Sequence, residues 1–173
     1  MRTLLSVSLC AMAVVSFAVP YSPSLAQSGI STNPAPVETT GYSSAIEALS
    51  KYEVDSSRLA LTRSQSQAMR VFAQQMVDHH SRGGPRRIGV SEPSAGGALD
   101  GPLSEMLNSL ENVPSSEFDA AYKRGQIAAH EEALKVHTAY AARGSDPTTR
   151  AKAQAAMPVI QKHLDAARDL PVA

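Results

Sequence analysis

The chain has 173 residues, 16 bases against 16 acids, five histidines and a single cysteine, and that length suits one domain. Balanced, mixed charge offers no electrostatic footprint for nucleic acid. The absence of Trp and the 5% aromatic content exclude a base-stacking platform as well.

The chain opens with Met1-Arg2-Thr3, an apolar run from Leu4 to Val19, and the small-x-small site Ser24-Leu25-Ala26. Basic start, apolar centre and small-residue site together predict a signal peptide over residues 1–26, cleaved before Gln27. The apolar run falls short of the about 20 residues that a spanning helix needs, so no stable membrane span is expected after cleavage. The mature protein is expected to be periplasmic or secreted. Cys10 lies inside the apolar run, without the small-residue context of a lipid-modified cysteine. Its loss leaves a mature chain with no thiolate and no disulfide, carrying fifteen bases and sixteen acids.

Residues 27–42 are rich in Ser, Thr, Pro and Gly and read as a flexible linker. Ser44 and Glu47 have the spacing of a capping box, which predicts a helix over 44–64 with Ile46, Leu49, Tyr52, Leu59 and Ala60 on its buried side. A second helix is predicted over 66–82. Phe72, Ala73 and Met76 share one face there, and His80 follows Met76 by four residues on the same face. Gly83-Gly84-Pro85 ends that helix.

Residues 83–101 are rich in Gly and Pro and predict a long exposed loop. Arg82, Arg86 and Arg87 at its start read as a solvated cluster that could also meet an anion. A short amphipathic helix, Leu103 to Leu110, is expected to pack as a lid. Ser115 or Ser116 is placed to cap a long helix over 116–143 that stops at Gly144. Asp146-Pro147, with Asp at the cap and Pro at the first helical position, opens the last helix, which runs to about Asp169 with Pro158 in its interior. Pro158 is expected to kink the helix and re-aim the turn carrying His163. No alternating strand pattern occurs. The expected fold is therefore all-α, a four-helix bundle over residues 43–170 with a short extra helix.

Several segments in order resemble a known group: Glu53-Val54-Asp55 with Leu59-Ala60, Phe72-Ala73-Gln74-Gln75-Met76-Val77, Phe118-Asp119 with Tyr122, His130, and Pro158 with His163-Leu164. Over roughly residues 43–170 they are similar to the bacterial exported proteins of domain-of-unknown-function family 4142, placed in the ferritin-like superfamily. The resemblance implies a four-helix bundle in the periplasm or cell envelope, and little about activity. Where the family usually reads Asp-His this chain has His79-His80, with Asp78 one place earlier. The family's helix also usually continues past the point where Gly83-Gly84-Pro85 ends it here.

A di-iron site of the ferritin-like kind needs two Glu-x-x-His pairs. Three residues before His80, His130, His137 and His163 stand Val77, Ile127, Leu134 and Ile160, so that chemistry is excluded. A mononuclear site remains open: His80, His130 and His163 from three helices, with Glu53 or Asp55 as oxygen ligand or acceptor. Such a set suits zinc, copper, nickel or iron. Glu53 lies four residues after Leu49, so it is expected inside, where a carboxylate needs a partner; His130 or His163 would serve. Asp119 is expected to act on the helix N-terminus. Asp78 and His79 could add ligands beside His80, but at a helix end they are expected in solvent. His137 stands two turns beyond His130, about 10 Å along the axis and too far to share an ion.

No nucleophile motif, phosphate loop or triad appears. Two functional readings follow. One is a non-enzymatic envelope protein, acting in envelope maintenance or stress tolerance through an envelope partner or small ligand, with its histidines in a structural polar network. The other is a metal-binding or redox protein using His80, His130, His163 and Glu53.

Overall fold

The computed structural model describes residues 37–83, 99 and 101–172. Every regular element among them is helical: α1 (Thr39–Arg63), α2 (Gln67–Gly83), α3 (Gly101–Asn112), a 3-10 turn (Ser115–Glu117), α4 (Phe118–Arg143) and α5 (Pro147–Arg168). The four long helices and the short extra one match the expected all-α architecture. The predicted signal peptide, residues 27–36 of the linker, and almost all of the loop over 83–101 with Arg86 and Arg87 lie outside the described residues.

α1 begins five residues before the predicted cap. Ser44 and Glu47 sit exposed within the helix, so they form no capping box, and Glu38 precedes the first turn without a side-chain cap bond. The reason is tertiary. Tyr42 is buried, stacks on Tyr140 with ring centroids 4.1 Å apart, and shares a 3.0 Å hydrogen bond with His137 Nδ1. Thr39 Oγ1 meets the Tyr140 hydroxyl at 2.5 Å. These contacts hold a first turn that local signals would leave open, so residues 39–42 of the expected linker are helical.

The α1–α2 corner is shaped by serines. The Ser66 backbone N–H donates to Ser64 Oγ, and Ser66 Oγ accepts from the Met69 backbone at the start of α2. α3 packs against α1 and α4 through buried Leu103 and Leu110. The guanidinium of Arg63 closes its C-terminus, donating to the carbonyls of Leu110 (2.7 Å), Glu111 (2.9 Å) and Val113 (2.5 Å) while lying over the Phe118 ring. Those are carbonyls that a helix end leaves without internal partners.

Neither Ser115 nor Ser116 caps α4; they belong to the 3-10 turn, and α4 starts at Phe118 with no side-chain cap bond. Asp119 lies in its first turn, as expected. Gly144 ends α4 with an ordinary negative φ. A Cβ at Gly144 would stand 2.5 Å from the Tyr140 ring, so close approach, not a left-handed turn, explains the glycine. Asp146 caps α5 as predicted: its Oδ1 accepts from the Thr149 backbone at 2.7 Å. α5 continues as one helix through Pro158. Pro158 and Gln154 are both exposed, so the carbonyl that Pro158 leaves without a donor can turn to water.

Two apolar clusters fill the bundle. One joins Met69, Phe72, Met76, Phe118 and Tyr122 at one end; the other joins Leu49, Tyr52, Val136, Tyr140 and Ala153. Between them on α1, α4 and α5 lie Glu53, His130 and His163, all buried. At 17 residues α2 is the shortest of the four long helices, spanning about 26 Å at 1.5 Å per residue. It covers the first cluster and ends just past the level of the polar layer.

Candidate metal centre

The polar layer is built from four helices by the same rule: each contributes its residue from the face that otherwise carries apolar side chains. Glu53 follows Leu49 by one turn on α1, His80 follows Met76 on α2, His130 precedes Ala133 on α4, and His163 precedes Ala167 on α5. One ring nitrogen from each of His80, His130 and His163 lies within 4.8 Å of the others. The convergence anticipated for these three histidines is present.

His130 is the most constrained of them. Its Nδ1 donates to the Gln126 carbonyl one turn earlier, at 2.8 Å, so in the neutral ring the free lone pair sits on Nε2. That Nε2 is fully buried and has no hydrogen-bond partner among the described residues. An imidazole tied at one nitrogen to a backbone carbonyl and bare at the other is the usual state of a histidine ligand.

Glu53 is 2% exposed. Its Oε2 stands 2.6 Å from His80 Nε2 and its Oε1 is 3.9 Å from His130 Nδ1. The 2.6 Å contact lies off the line of a hydrogen bond, and Oε2 and His80 Nε2 both count among buried atoms without such a partner. The expected partners of Glu53 were His130 or His163; the one in closest contact is His80.

Burial pushes the Glu53 carboxyl upward, but the electrostatic influence of the surrounding imidazoles, His130 first, together with the His80 contact, outweighs it and holds the group below its usual range. Burial likewise disfavours charge on His80, yet Glu53 wins and raises it. Burial, then the neighbouring imidazoles of His130, His79 and His80, push His163 down to about 4, against the pull of Glu53. With its pKa at about 4, His163 is neutral at physiological pH.

Two nearby residues extend the cluster. His79, expected in solvent or as an added ligand beside His80, is exposed but reaches across to α5: its Nδ1 shares a 2.8 Å hydrogen bond with His163 Nε2, and the rings stack with centroids 4.9 Å apart. Gln126 is fully buried, donates to Ser56 Oγ at 2.9 Å, and keeps a partnerless Oε1. Asp55 is outside the cluster; it pairs with Lys51 at 2.6 Å and Arg58 at 3.4 Å on the surface of α1. His137 is also apart, held by Tyr42, as its two-turn offset predicted.

The four-helix arrangement and the order of its segments fit one family. The model for a domain of unknown function, DUF4142, matches residues 25–170. The chain belongs to that family. No curated protein matches the chain, and no solved structure does. DUF4142 membership therefore accounts for the run of segments from Glu53 to Leu164 and assigns no chemistry to them. Among the described residues no helix is long and apolar enough to cross a membrane.

The three imidazoles form a donor set that could hold a first-row transition metal. Tetrahedral zinc at 2.0–2.1 Å from each ligand sets nitrogens about 3.4 Å apart. The three ring nitrogens, within 4.8 Å of one another, would therefore have to close by up to about 1.4 Å.

Proposed function

We propose that this DUF4142 protein is an exported, envelope-located bundle that binds one divalent transition-metal ion, zinc, copper, nickel or iron, through His80, His130 and His163, with Glu53 as the fourth ligand. The observation that carries the reading is the buried, partnerless Nε2 of His130, on a ring tied back through Nδ1 to the Gln126 carbonyl and clustered with two more imidazoles. Leaving such an atom dry costs about 1–3 kcal/mol, and a cation removes that cost. Three nitrogens and one oxygen complete a tetrahedron, which favours holding an ion over catalysis at an open position. The ion is then the small ligand through which the protein acts in the envelope, by storing or sequestering it. The reading of residues 1–26 as a cleaved signal supports export.

One observation favours a second reading. The 2.6 Å approach of Glu53 to His80 also suits a structural polar network that fixes helix register without a metal. Elemental analysis separates the two. Untagged protein purified from its own compartment carries about one transition metal per chain under the metal reading. A chain free of metal, and unable to take one up after chelation and reloading, leaves only the structural network.

A further inference from the structure

The polar layer is not equally sealed on all sides. Side-chain exposure is 1% at His130, 3% at Glu53 and 22% at His80; the residue His163 is 8% exposed. His79 is the exposed imidazole at this rim. It sits where α2 runs out, because adjacent residues on a helix point about 100° apart. His80 turns inward and His79 is left at the edge, in reach of α5.

There His79 does something a solvated histidine does not. Its Nδ1 is 2.8 Å from His163 Nε2, so one exposed and one buried imidazole nitrogen stand side by side. A cation bound first at His79 can add His163 as a ligand before it sheds water or His79. It then passes inward to His130 and Glu53 without returning to bulk solvent, and leaves by the same steps reversed. The C-terminal end of α2, with its partial negative charge, favours a cation at this rim.

Resting on the metal-binding reading above, we propose that His79 is the gate residue of the site: an exposed transfer ligand that hands the ion to His163 and takes it back. It is a kinetic device and not a member of the final ligand set. This distinguishes it from a positioning role, in which His79 would only orient the His163 ring.

The two roles separate in exchange kinetics. Full-length mature protein and its His79→Gln and His79→Ala variants are loaded with Zn²⁺ alone, and uptake and release to a chromogenic chelator are followed by stopped flow. His79 is exposed, so the variants are expected to fold, which circular dichroism checks. A gate residue lowers the barrier in both directions: uptake and release both slow by about tenfold or more, each tenfold being about 1.4 kcal/mol of barrier, while Kd and the one-to-one stoichiometry stay unchanged. Unchanged rates overturn the proposal. So does a Kd weakened by the about 10–100-fold typical of a lost outer-shell partner with uptake as fast as before, which makes His79 a positioning residue. Wild-type protein that binds no zinc overturns the metal-binding reading itself, a failure visible before any variant is compared.

Discussion

His130 donates its Nδ1 proton to the carbonyl of Gln126, one turn back on the same helix, at 2.8 Å. That bond sets the tautomer of the neutral ring, and burial at 1% exposure shuts bulk solvent away from the other nitrogen. Only something arriving between the helices can use the lone pair of Nε2. The account of this protein turns on that atom.

The packing around the site is tight enough to be tested by one methyl group. A Cβ at Gly125 would collide with the Tyr52 hydroxyl, and Tyr52 is 1% exposed on a rigid ring, so it cannot swing clear. Gly125→Ala is expected to destabilise the protein by the about 1–3 kcal/mol of an overpacked core, even though alanine is the better helix former by about 1 kcal/mol. Denaturant unfolding measures the sign. A stabilised variant would show that α1 and α4 are not held as close as described.

Arg63 gives a second test at the other end of α1. Its three bonds to the carbonyls closing α3 are charge-assisted. Arg63→Met keeps the stem over Phe118 and removes those donors, at a cost of about 2 kcal/mol. Arg63→Lys recovers only part of it, because an ammonium cannot fork to three carbonyls. Thermal unfolding reads the loss, and amide exchange should place it in α3.

Much of this was legible beforehand, for identifiable reasons. The placement of His80 followed from its helical spacing after Phe72, Ala73 and Met76, and Asp146-Pro147 carried its own cap signal. What escaped was tertiary. The first turn of α1 depends on Tyr42 finding Tyr140 and His137 some 95 residues away. His79 looked solvated because its partner, His163, lies 84 residues on. Glu53 was placed inside correctly, but which histidine it meets depends on helix rotation that no local pattern encodes. Pro158 was tolerated because its face turned out to be the wet one.

Acid should weaken the fold partly through His137. Burial lowers its pKa below the ordinary imidazole value, only partly offset by a backbone hydrogen bond to Ala153 and by the charge of Glu53. In the unfolded chain the ring titrates near its usual 6.5. Below that pH the unfolded state binds the extra proton, so the stability tied to neutral His137 is full above about pH 6.5 and is lost as pH falls. His137→Gln, which can still accept from Tyr42, should show a shallower decline in unfolding free energy from pH 7 to pH 5 than the wild type. Parallel curves would mean that the ring charges as easily folded as unfolded.

The most direct test of the central claim is a Co²⁺ titration of metal-free mature protein beside its His130→Gln variant, followed by visible absorption. Cobalt reports both stoichiometry and ligand geometry. The account predicts saturation at one ion per chain with the intense bands of a tetrahedral site in the wild type. It predicts no such bands in a variant that remains folded but less stable. A wild type that takes up no cobalt, or a variant that takes it up unchanged, would contradict it.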